Sequence, residues 1–143
     1  MSGRTVTTGG SRIGCDVAMV GDVDRSIERF GERYLRRVFT EREVAECAGP
    51  IQACRLAARF AAKEAVMKVL RPSDDAVPWT NIEVRRASWG GCVVELSGSA
   101  ARLAAQQGVG EVQISISHDG GVAVAMATAV VLGGAELNRG EWS

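Results

Sequence analysis

Four residues of this chain carry chemistry suited to a phosphate. Asp16 and Glu64 are carboxylates set among small or apolar neighbours, Lys68 follows Glu64 by four positions, and His118 is the single histidine. The stretch "AARFAAKEAVMKVL", Ala57 to Leu70, adds Arg59 and Lys63 to an otherwise alanine-rich and aliphatic run. Two carboxylates on rigid elements suit a hard cation such as magnesium, which keeps several waters and takes its remaining ligands from a phosphate. Lysine and arginine beside them would complete a diphosphate site through charge-assisted hydrogen bonds.

The spacing on the central helix, roughly Ile51 to Leu70, sorts these charges. At about 100° per residue Glu64 and Lys68 fall about 40° apart, with Ala57 and Ala61 beside them and Phe60 on one flank; Arg59 and Lys63 form a second seam more than about 90° away. The remaining surface is Ala, Val, Leu and Met, so the helix is expected to be buried on several sides with both seams as cleft edges. The plainer account of Glu64 and Lys68 is an i, i+4 ion pair worth about 0.2 to 0.5 kcal/mol. His118 closes "SISHDGG" at the junction of a strand and a turn. A lone histidine is more often structural than catalytic, yet at a strand end beside glycines it can reach a cleft.

The elements that must hold these residues follow from periodicity. "RIGCDVAMV" alternates Ile13, Cys15 and Val17 with Gly14, Asp16 and Ala18, the period of a strand, and places Asp16 on the non-core face, away from the three apolar residues. In "DVDRSIERFGERYLRRVF", Val23, Ile27, Phe30, Tyr34 and Val38 form the apolar face of a helix whose other face carries Arg25, Arg29, Arg33 and Arg36 or Arg37. Gly31 in its middle costs about 1 kcal/mol relative to alanine and marks a bend. Thr40 and Glu43 form a capping box for the next helix, which Gly49 and Pro50 end. The central helix follows, then the loop "RPSDDAVPWTN". "IEVRRA" and "CVVELSG" make a hairpin around "SWGG", "SAARLAAQQG" is a helix capped by Ser97 or Ser99, and two more strands meet at "HDGG". The predicted fold is α+β, a mainly antiparallel sheet packed against a long central helix and shorter helices. Residues 1–143 make one domain, with 1–10 and 134–143 as frayed tails.

Composition narrows the classes of function. With 17 basic and 17 acidic residues the chain has no bulk attraction for nucleic acid or an anionic membrane. Its longest apolar run, "GGVAVAMATAVVLGG", falls short of the twenty or so residues a spanning helix needs. Cys15, Cys47, Cys54 and Cys92 contain no C-x-x-C pair and there is only one histidine, which argues against structural zinc. They read as reduced, mostly buried thiols of a cytoplasmic protein.

"IGCDVA", "RFAAKEAVMK", "IEV" and "ISISHDGGVAVAM", in this order and spacing from about Arg12 to Val131, resemble the holo-acyl-carrier-protein synthases, the small phosphopantetheinyl transferases. The resemblance implies transfer of the phosphopantetheine arm of coenzyme A to a serine of an acyl carrier protein, with magnesium, or manganese in its place, and release of adenosine bisphosphate. It implies Asp16 and Glu64 as metal ligands, Lys68 on the diphosphate, Arg59 and Lys63 on the adenosine-side phosphate, and His118 near the reactive phosphate with Asp119 after it. A metal-bound water, Glu64 or the His118/Asp119 pair could accept the serine proton. The resemblance also implies a homotrimer with sites between subunits. Carrier proteins of this kind are acidic, and Arg25, Arg29, Arg33 and Arg37 offer the opposite charge, which steers encounter.

The chain departs from the family pattern in three places. Met19 stands where a glutamate is usual, "LRPSDD" replaces a glycine-rich segment after the central helix, and "WGG" replaces a "GKP" turn. These changes point to a divergent member serving a secondary-metabolism carrier. They also permit a non-catalytic relative that binds coenzyme A or a carrier protein, against which the joint presence of Asp16, Glu64, Lys68 and His118 argues.

Overall fold

A computed structural model describes residues 8–73 and 76–132. Its elements in order are β1 (Thr8–Met19), α1 (Val20–Phe30), α2 (Glu32–Val38), α3 (Glu41–Cys47), α4 (Gln52–Leu70), a single 3-10 turn (Trp79–Asn81), β2 (Ile82–Arg86), β3 (Cys92–Leu96), α5 (Gly98–Gln107), β4 (Gln113–Asp119) and β5 (Val122–Leu132). The strands form two antiparallel sheets, one of order β1-β5-β4 and one of β2-β3. The fold is α+β, with α4 packed against β1 and β5 at its centre. Thr8–Gly10, expected in a frayed leader, open β1 instead. The remainder of both expected tails, and Asp74 and Asp75 of the loop, lie outside the described residues.

The two faces of β1 are the reverse of those expected. Ile13 is 66% exposed and Val17 55%, while Ala18 is buried and Asp16 is half-buried toward α4. The partner strand obeys the same rule: Ala123, Ala125, Ala127 and Ala129 of β5 are buried, and Val124, Met126 and Val130 point outward. Alternation separates two faces and does not say which one is covered. Here the helix lies so close to the sheet that only small residues fit beneath it. A Cβ at Gly14 would stand 2.2 Å from the carbonyl oxygen of Ala65 and 3.0 Å from Cβ of Lys68.

Gly31 divides the first predicted helix in two. Its φ of 55° is in the left-handed region that favours glycine, and its N–H donates to Ile27 O at 2.8 Å, closing α1. The break shifts the helical phase, so that Leu35 and Val38 of α2 are buried while Tyr34 is half-buried and Phe30 is 47% exposed. The capping box at α3 is present as read from Thr40 and Glu43. At α5 neither Ser97 nor Ser99 caps through its own side chain. Asn81 reaches across instead, its Oδ1 accepting from both N and Oγ of Ser99 at 2.9 Å.

Two of the charges on α4 serve the fold. Lys63 is fully buried and donates to Ile82 O at 2.6 Å and Trp79 O at 3.0 Å, with Glu43 Oε1 at 2.8 Å. Glu43 Oε1 also accepts from Thr40 N at 2.8 Å, and its Oε2 from Val84 N at 2.7 Å. Arg59 donates to Val84 O at 3.1 Å and Glu46 Oε1 at 3.0 Å. This seam therefore ties α4 to α3 and β2; at Lys63 it is no open cleft edge, while Arg59 still borders a cavity. Lys63 is withdrawn as a phosphate ligand because every direction its ammonium could take is occupied by the protein.

Candidate active site

The small residues under α4 bring the two carboxylates together. Asp16 points from β1 at the helix, and Glu64 and Lys68 point from the helix at the strand. Lys68 Nζ donates to Asp16 Oδ1 at 3.0 Å and to Cys15 O at 2.8 Å. The ion pair of Lys68 is thus with the strand and not with Glu64 along the helix. Asp16 Oδ2 is buried and has no donor of its own. A proton on Glu64 can supply one, and the pair divides its titration accordingly. Burial first, then the hydrogen bond and charge of Asp16, push the Glu64 carboxyl up to about 7. Burial alone would raise Asp16 too, but hydrogen bonds from Glu64 and Lys68 hold it below the ordinary carboxylate range.

This arrangement fits a divalent cation. A buried carboxylate oxygen with no partner beside a carboxyl that keeps its proton near neutrality marks two carboxyl groups sharing one counter-charge, that of Lys68. No cluster of three or more His, Cys, Asp or Glu side chains forms a metal cage among the described residues. A cation at this pair would take its other ligands from water and a bound phosphate, the habit of magnesium. Burial, and then the charge of Glu64, also raise Tyr34 of α2, which places the basic helices beside the pair.

A second group lies at the other end of α4. A cavity of about 390 Å³ is lined by Arg55, Arg59, Arg86, Trp89 and His118, among others. Arg59 is held in its wall by Glu46, while His118 is exposed at the end of β4 with Asp119. Trp89 is 73% exposed and lies across Gly91, where an added Cβ would meet its ring at 1.9 Å. Arg55, Arg86 and Trp89 were not singled out from the sequence. Arg55 stands four residues before Arg59 and shares its side of the helix, a signal that was available. Arg86 and Trp89 come from the hairpin, whose position no local pattern gives. From Cys54, beside this cavity, to Glu64 is ten residues along the helix, about 15 Å.

The third group is the basic surface of α1 and α2, where Arg25, Arg29, Arg33 and Arg37 are all exposed. Arg25 pairs with Asp22, and the Arg29 guanidinium lies 5.2 Å from the centre of the Phe30 ring. Phe30, Tyr34, Arg33 and Arg37 surround a hollow of about 260 Å³. Basic rims around an apolar floor suit an acidic helical partner that brings one apolar side chain.

Residues 12–127 match the model of the 4'-phosphopantetheinyl transferase superfamily. The chain is 44% identical over 120 residues to the holo-[acyl-carrier-protein] synthase of Desulforudis audaxviator, covering 82% of this chain and 91% of that protein. It is 38% identical over 132 residues to the synthase of Gloeobacter violaceus, with coverage of 91% and 98%. Among solved structures, the holo-[acyl-carrier-protein] synthase of Neisseria meningitidis matches with a TM-score of 0.74 at 27% identity, over 85% of this chain and 98% of that one. The Chronobacterium ammoniagenes ACPS in its complex with CoA matches with a TM-score of 0.74 at 30% identity, over 85% and 97%. With one family model matching residues 12–127 and relatives matched over nearly their whole length, the chain belongs to the 4'-phosphopantetheinyl transferase superfamily and is a transferase of the holo-[acyl-carrier-protein] synthase kind.

Proposed function

We propose that the protein moves the 4'-phosphopantetheine group from coenzyme A to a serine hydroxyl of an acyl carrier protein, with magnesium at Asp16 and Glu64 and release of adenosine 3',5'-bisphosphate. The observation that carries this reading is the unpartnered, buried Oδ2 of Asp16 beside the proton-holding Glu64. When bound there, the cation supplies charge neutralisation for the diphosphate and its leaving group.

The chain's own residues do the positioning that phosphoryl transfer demands. Lys68, fixed by Cys15 O and Asp16, holds its ammonium where a diphosphate oxygen can share it. Arg59, with Arg55 and Arg86, gives the cavity fixed positive charge for the adenosine-side phosphate. His118 donates to an oxygen of the substrate from the cavity's edge, and the serine nucleophile comes with the carrier. Arg25, Arg29, Arg33 and Arg37 orient that carrier. The outward apolar face of β1 and β5 supports association of copies of the chain, three by the family resemblance.

Intact-mass spectrometry of apo carrier proteins incubated with coenzyme A, magnesium and this protein tests the reading. A chelator-sensitive gain of one phosphopantetheine group is expected. No gain on any carrier, with coenzyme A still raising the melting temperature, would favour a binding protein in its place.

A further inference from the structure

Cys54 lies in the first turn of α4, and its Sγ stands 3.5 Å from Nδ1 of His118. This is the one side-chain contact of His118 within hydrogen-bonding reach among the described residues. The histidine needs such an anchor. It is exposed, next to last in β4, and the turn that follows is Gly120 and Gly121, with φ of 55° and 83° and open space where a Cβ would sit. The ladder with β5 fixes its backbone opposite Ala123 and its Cβ on the same face as Ile114 and Ile116, toward the cavity. Nothing in the ladder fixes the ring about its own bonds.

We propose that Cys54 is the positioning residue of His118. The thiol donates to Nδ1, which keeps the ring proton on Nε2 and turns that N–H into the cavity beside Arg55 and Arg59. A neutral imidazole has one donor and one acceptor nitrogen, so occupying Nδ1 as the acceptor settles the other. A thiol suits the task because it reaches further than a hydroxyl and brings no charge to compete with the incoming anion. The role in transfer rests on the reading of this cavity as the phosphate pocket; the contact itself does not.

The single histidine makes the test direct. Nitrogen-15 NMR of the intact protein at about pH 7.5, between the ordinary ranges of an imidazole and a thiol and without substrate, reads Nδ1 and Nε2 of one ring. In the parent protein the proton is expected on Nε2, with Nδ1 at the position of a hydrogen-bonded acceptor. In Cys54→Ala, Nδ1 moves by several ppm to that of an unbonded nitrogen, and Cys54→Ser recovers part of the shift. In transfer assays Cys54→Ala is expected to lower kcat about three- to tenfold, the loss of one modest hydrogen bond, with the carrier KM unchanged and part of the loss restored by Cys54→Ser. An Nδ1 resonance unmoved by either substitution overturns the proposal. So does an Nδ1 that moves while kcat does not. A cysteine-dependent Nδ1 shift in a protein that transfers to no carrier would uphold the contact and remove the proposed function instead.

Discussion

Lys63 and Lys68 are five residues apart on one helix and do different work. Lys63 is sealed against Glu43 and two backbone carbonyls, so Lys63→Met leaves a buried carboxylate without its counter-charge and is expected to cost about 3 to 5 kcal/mol. Lys68→Met touches a half-exposed pair, and should leave the denaturation midpoint nearly unchanged while transfer falls by about a hundredfold. Equal midpoint losses in the two variants would show that the roles are not separate. Asp16→Ala and Glu64→Ala are likewise expected to keep a folded protein and lose transfer by at least about a hundredfold. Near-parental activity of either at limiting magnesium would remove it from the metal site. The carboxylate pair also predicts a pH effect with a definite sign. Glu64 holds its proton up to about 7 when folded, against an ordinary value of 4.5, so its contribution to stability is full below about 4.5 and is lost as pH rises through 7. A magnesium ion bound as proposed would displace that proton, and its gain in melting temperature should therefore be larger at pH 8 than at pH 6. An equal gain at both would mean that Glu64 does not bind the ion. That Asp16, Glu64 and Lys68 share one neighbourhood was legible in the sequence, because alternation sets Asp16 apart from the apolar residues of its strand and Glu64 and Lys68 lie on one side of the helix. The burial of Lys63 was not, because its partner Glu43 lies twenty residues away and reads locally as a cap.

The strands and helices were legible wherever one period dominates, as in α4 and β5. Their inward faces were less so. On β1 the larger apolar residues suggested the core, and the core went to Gly14, Asp16 and Ala18 because α4 packs against them at glycine distance. The same closeness delivers Asp16 to Glu64, so the site and the misread face have one cause. On α1 and α2 the break at Gly31 moved Phe30 from the expected core to the basic surface, where it floors a hollow with Arg33 and Arg37. Arg33→Glu should raise the KM for carrier protein about tenfold and leave the KM for coenzyme A unchanged. A carrier KM that does not move would take this helix face out of the docking surface.

Taken whole, the chain leaves an apolar sheet face uncovered. Ile13, Val17, Val124, Met126 and Val130 stand together on the outside of β1 and β5, with Cys15 among them. A continuous patch of this kind marks an interaction surface. Light scattering on a sizing column should report three copies, and Val17→Lys should shift the mass downward and lower transfer together. A parental protein that runs as a monomer at micromolar concentration would refute the assembly. No helix among the described residues is long and apolar enough to cross a membrane.

The pairing of β1 with β5 aligns Asp16 with Ala125 and Val17 with Val124, so neighbouring residues of one strand serve opposite faces. A slip of one residue would turn the carboxylate outward and drive a valine under the helix. The carboxylate pair and the outward apolar face are thus set by a single sliding coordinate. A single insertion or deletion between Ser11 and Val17 should therefore disturb both faces at once, and a paired one should be tolerated only where a glycine still lies beneath Ala65 and a carboxylate still faces Glu64.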